Sequence, residues 1–112
     1  ERGSAISHCP LSNFYFAHGI FPLMGHLKSG LKIGLGTDVA GGYSHSMFNA
    51  MRTSVISSLA IRNQAGDDHR AFLSFSQAFY LATRGSAIAL KLQNELGMFR
   101  SGFRFDSLIL DA

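Results

Sequence analysis

The sequence predicts an α/β fold, a parallel sheet crossed by helices, and three observations predict it. Strand-like and helix-like segments alternate as strand, helix, strand, helix within the first sixty or so positions, the signature of a crossover unit. The strand candidates are short and almost wholly apolar, as expected when helices cover both sheet faces. Apolar residues make up 46% of the 112 positions and charged ones 15%, enough to bury a core and too apolar for disorder.

Residues 5–9 (Ala-Ile-Ser-His-Cys) form the first strand candidate, closed by Pro10, which cannot donate to a sheet ladder. Residues 11–19 read as an aromatic-rich loop carrying Phe14, Tyr15 and Phe16. A helix comes next, with Pro22 in its first turn, Gly30 at its stop, and Leu23, Met24 and Leu27 on its apolar face. Residues 31–35 make the second strand, which runs into Gly36-Thr37-Asp38 and a glycine-bearing loop. From Ser46 to about Gln64 the spacing of Met47, Ala50, Met51, Val55, Leu59 and Ile61 is helical, with Gly66 as terminator. Ser74-x-x-Gln77 matches a capping box at the head of another helix, interrupted at Gly85 and resuming over residues 86–92. In the tail, glycines 97 and 102 flank aromatic residues, and residues 107–110 read as a strand outside the α/β repeat.

Composition excludes several function classes. The net charge of +3 is spread along the chain and forms no basic stripe, so no nucleic-acid partner is expected. No apolar run approaches the roughly 20 residues of a membrane span, so no membrane partner is expected. Cys9 is the only cysteine and cannot form an internal disulfide, which fits a reducing, cytoplasmic compartment. The chain opens on Glu1, its first methionine is Met24, and it enters a strand-like run within a few residues. It is therefore expected to be a segment of something larger.

Asp38 is the leading candidate for chemistry. It lies just past the C-terminal end of a buried parallel strand, where (β/α) enzymes collect catalytic groups. A carboxylate there can bind a metal or accept a proton from metal-bound water; it can equally cap its own loop through Asx-type hydrogen bonds. His8 holds the matching place on the preceding strand, either as a structural residue or as a second side chain on the same rim. Gly34-x-Gly36-x-x-Val39 is not a dinucleotide fingerprint, because the third glycine and the downstream acid are missing. His18, His26, His45 and His69 show no metal-binding spacing, so no self-contained zinc site is expected. Met47 and Met51 read as core, and Arg52 and Arg62 as a solvated helix face.

The motifs His8-Cys9-Pro10-Leu11-Ser12-Asn13 and Gly34-Leu35-Gly36-Thr37-Asp38-Val39-Ala40-Gly41-Gly42 are similar to those of the guanine deaminase family, within the metal-dependent amidohydrolase superfamily. The tail, Gly97-Met98-Phe99-Arg100-Ser101-Gly102 with Phe105-Asp106-Ser107-Leu108-Ile109-Leu110, resembles that family's closing segment, except that Phe103 stands where lysine is usual. The resemblance implies the C-terminal portion of a (β/α)₈ barrel, its last two βα units, plus returning strands of a small β side domain. Residues 1–95 would belong to the barrel and 96–112 to the return segment. It further implies a Zn²⁺ ion, guanine as substrate, hydrolysis to xanthine and ammonia, and a homodimeric parent enzyme. Asp38 matches the zinc-ligating, proton-accepting aspartate after the eighth strand. His8 matches a histidine after the seventh strand that is not a metal ligand, and is assigned to substrate binding.

A complete barrel takes roughly 250 residues and a zinc site at least three protein ligands. The family's remaining histidines and its proton-shuttling glutamate have no counterpart in this chain, which is expected to be inactive alone. Two other readings stay open: an amidohydrolase acting on another aminopurine or a triazine, and a non-catalytic remnant.

Overall fold

The computed structural model describes residues 3–16, 19–67 and 71–111. Two strands, β1 (Ile6–His8) and β2 (Ile33–Leu35), pair in parallel with Ile6 opposite Ile33, Ser7 opposite Gly34 and His8 opposite Leu35. A parallel pair needs a crossover, and the crossover is helical: α1 (Pro10–Tyr15) and α2 (Leu23–Lys28) lie between the strands. The expected parallel sheet is present, and each strand is shorter than its apolar run.

Residues 11–19, expected as loop, begin instead as helix α1. Pro10 occupies its first turn, where a missing N–H is harmless and φ is already helical, and Pro10 and Leu11 are buried beneath it. His18 lies outside the described residues. Helix α2 is preceded by Pro22 and closes in a Schellman motif. The Leu31 amide donates to the His26 carbonyl (3.2 Å) and Gly30 to Leu27 (3.1 Å), with Gly30 at φ +79°.

Helix α3 (Met47–Gln64) starts where expected: the Ser46 hydroxyl accepts from the Asn49 amide at 3.3 Å. It ends at Ala65, with Gly66 in the left-handed region at φ +62°. Its buried stripe runs Ala50, Met51, Ser54, Ser57, Ser58, so three serines share the inner face with the expected apolar residues. Ser54 and Ser57 return their hydroxyls to carbonyls of their own helix, at 2.7 and 2.9 Å. Polar groups satisfied in this way can be buried, and their small size admits the neighbouring segment. Ser58 tethers that segment by accepting from the Leu73 amide at 2.8 Å. Arg62, expected on a solvated face, instead lays its guanidinium 4.7 Å from the Phe72 ring centroid.

Helix α4 (Phe75–Tyr80) carries the complete Ser74–Gln77 capping box. The interruption expected at Gly85 takes the form of a change of helix type, with no break in the helical path. A π-helical turn (Leu81–Gly85) leads directly into α5 (Ser86–Ala89), and the chain crosses β2 there. A side chain on Gly34 would come within 2.8 Å of Ser86 Oγ and 3.0 Å of its Cα. The absence of a Cβ at Gly34 is thus a packing requirement. The core gathers Leu23, Ile33, Leu35, Ala50, Met51, Leu73, Ala78 and Leu81.

Residues 107–110, expected as a strand, form none. Among the described residues the sheet is β1 and β2 alone, so the tail has no ladder to join, and Leu108, Ile109 and Leu110 are exposed. No helix of the described residues is long and apolar enough to cross a membrane.

Candidate active-site rim

The parallel register brings the C-terminal ends of both strands to one rim. His8 is the last residue of β1, and Asp38 comes three residues after the end of β2. Both line a cleft of about 350 Å³ with Ser7, Cys9, Ser12, Asn13 and Phe21. The two candidate residues therefore share one opening.

His8 is 2% exposed, and neither ring nitrogen has a hydrogen-bond partner. Burial lowers the imidazole from 6.5 to about 4, so it is neutral at physiological pH. Its ring packs against Phe21 at 5.2 Å between centroids, and His26 stacks on Phe21 at 4.8 Å. The stack fixes the ring plane while leaving the nitrogens unused. A buried polar group without a partner costs about 1–3 kcal/mol, which a purely structural histidine would avoid by finding one.

Asp38 is exposed and adopts φ +51°, the left-handed region that a non-glycine residue enters at some cost. The glycines after it make room. A Cβ on Gly41 would sit 2.8 Å from Asp38 Oδ2, and one on Gly42 would strike the Thr37 carbonyl oxygen at 2.1 Å. The Gly42 amide donates to the Asp38 carbonyl, closing the turn. The loop is shaped around its carboxylate.

The donor set does not make a metal centre. Among the described residues no three His, Cys, Asp or Glu side chains converge on a point that could hold a cation. Asp38 offers one carboxylate where a zinc site needs at least three protein ligands. Zinc therefore does not fit this chain by itself. His45 is exposed, Met51 is buried in the core with Met47 packed against it, and His69 lies outside the described residues.

Ser12 and Asn13 stand in the first motif, but the sequence alone gives them no role in the site, because their segment reads as loop. The signal was present in Pro10, which marks a helix start as readily as a strand end. A second, more apolar groove of about 390 Å³ lies between Phe79, Ala87, Leu90 and Phe99, and its ionisable lining is Arg104 and Asp106.

The sequence pattern of the Amidohydrolase family matches residues 1–112, the full length of the chain. The chain belongs to the amidohydrolase family. Curated amidohydrolase relatives include the guanine deaminases of Mus musculus, 43% identical over 99% of this chain, and of Homo sapiens, at 42%. The guanine deaminase of Escherichia coli (strain K12) is 34% identical over 99% of the chain. The chain spans about a quarter (24%) of the length of each. Among solved structures, guanine deaminase from C. acetobutylicum with bound guanine superposes with a TM-score of 0.78 at 31% identity, covering 90% of this chain and 23% of that one. An adenosine deaminase from Xanthomonas campestris with bound zinc gives a TM-score of 0.69 at 28% identity, covering 84% of this chain and 20% of that one.

Proposed function

We propose that this amidohydrolase segment is the C-terminal part of a guanine deaminase, a hydrolase that converts guanine to xanthine and ammonia. The observation that carries the reading is the shared rim. An aspartate in the left-handed region and a buried histidine line one cleft, in a chain 34–43% identical to guanine deaminases along almost its whole length. Another amidohydrolase substrate is less well supported, because each of the named curated relatives is a guanine deaminase.

In this reading residues 1–95 supply the end of a (β/α)₈ barrel and 96–112 the return to a small β domain, a division supported by the change to glycine and exposed aromatics at Gly97. Asp38 would be one of the ligands to a zinc ion, which would supply activation of a water molecule, and its carboxylate would be the group that takes up the proton. His8 contacts the substrate. The remaining metal donors come from the rest of the longer polypeptide, and a homodimeric, cytoplasmic parent enzyme belongs to the same proposal.

The test joins this chain to the three quarters of the mouse guanine deaminase that it does not match and monitors ammonia and xanthine release. The joined protein turns over guanine, the chain alone neither retains zinc nor turns over, and Asp38→Asn lowers kcat about a thousandfold or more. Turnover unchanged by Asp38→Asn, or ordinary enzymatic turnover by the chain alone, overturns the reading.

A further inference from the structure

The cleft holds more hydrogen-bonding capacity than Asp38 and His8 supply. Ser12 and Asn13 sit half-buried on α1 and line the same opening. Among the described residues neither side chain is spent on another part of the chain. Thr53 and Thr83, by contrast, return their hydroxyls to carbonyls of their own helices. Helix α1 is anchored by buried Pro10 and Leu11, which fixes the two polar residues at the cleft wall.

We propose that Ser12 and Asn13, together with His8, form the subsite that reads the polar edge of a neutral, planar base. This rests on the deaminase reading and adds to it residues that determine specificity. An asparagine amide presents a donor and an acceptor side by side, the complement of a lactam H–N–C=O edge. The serine hydroxyl can serve in either sense. Among the described residues the charge on the lining is that of Asp38.

The experiment uses the joined, zinc-loaded protein and compares guanine with 2-aminopurine, which lacks the ring carbonyl. Turnover and equilibrium binding are measured separately, and thermal unfolding is recorded alongside. Asn13→Ala raises KM and Kd for guanine about tenfold, moves kcat less, and leaves 2-aminopurine binding unchanged; Ser12→Ala acts in the same sense and more weakly. Asn13→Asp, nearly the same shape without the amide donor, guards against a folding defect and shows the same discrimination. An equal effect on both bases, or none on either, overturns the subsite. If the joined protein binds guanine without deaminating it, the deaminase reading fails while the two-base comparison still decides the subsite. A joined protein that neither binds nor turns over guanine overturns both.

Discussion

The two ends of the β-layer contact polar side chains in opposite ways. On the flank where α5 crosses β2, the Leu35 amide and the Ser86 hydroxyl are both committed. The bonds from Ile6 to Lys32 and from Gly36 to His8, both 2.9 Å, turn the intervening Leu35 amide to the outer edge, where Ser86 Oγ accepts it at 3.2 Å. That hydroxyl also donates to the Leu81 carbonyl at 2.7 Å, inside the π-helical turn. At the rim, by contrast, His8, Ser12 and Asn13 keep their hydrogen-bonding capacity, and Asp38 is held in a costly backbone conformation. At the flank the bonded polar groups hold structure, and at the rim the unbonded ones line the cleft.

The sharpest way to break that contrast is at the committed flank. Gly34→Ala places a methyl group against Ser86 Oγ and Cα, at 2.8 and 3.0 Å, and the nearest relief moves a hydroxyl already holding two bonds. A loss of about 2–3 kcal/mol is expected, read as the midpoint of urea unfolding. Gly25→Ala is the control: it lies inside α2 with nothing within 4 Å of its Cβ position, and it gains a few tenths of a kcal/mol or more. Equal effects at the two sites would show that α5 does not press on β2.

The next effect sharpens the rim. His8 takes up its proton near 6.5 when unfolded but near 4 in the fold, because burial disfavours the charged form. The unfolded chain therefore binds more protons as pH falls between these values. Stability from this residue is intact above about 6.5 and is lost progressively down to about 4, reaching roughly 3 kcal/mol. His8→Phe removes the titrating ring and keeps an aromatic packed on Phe21, so this part of the acid slope should vanish. An unchanged slope in thermal unfolding from pH 7 to 4 would mean that His8 is solvated in the folded chain.

What was legible in the sequence divides along the same line. The parallel strands, the start of α3 at Ser46, the Ser74 capping box and the Gly66 stop are readable because each arises from local chemistry. The shared rim of His8 and Asp38 was readable from strand order, since parallel strands put their C-terminal ends together. Helix α1 was missed because Pro10 suits both an ending and a beginning. The serine stripe of α3 was missed because hydropathy counts serine as outward-facing, whereas a hydroxyl returned to its own helix is satisfied and small. The expected strand at residues 107–110 has the right composition and no partner; pairing is a property of the neighbour as much as of the segment.

The smallest effect tests whether local backbone cost is confined to the rim. After α5 the chain turns through a second Schellman motif, with the Leu92 amide donating to the Ala87 carbonyl at 2.8 Å and Lys91 to Ile88 at 3.1 Å. The residue that turns it is Lys91, at φ +61°, a position glycine occupies in the equivalent turn after α2. Unlike Asp38, Lys91 is not part of the cleft lining, so its strained backbone serves no site that the cleft defines. Lys91→Gly relieves the left-handed penalty of about 1 kcal/mol, less what glycine adds to the entropy of the unfolded chain. A net gain of about 0.5 kcal/mol in urea unfolding is expected, with guanine binding by the joined protein unchanged. A loss of stability would show that the lysine side chain holds the turn through its own packing, whereas the expected gain means that backbone strain alone does not single out the Asp38 loop.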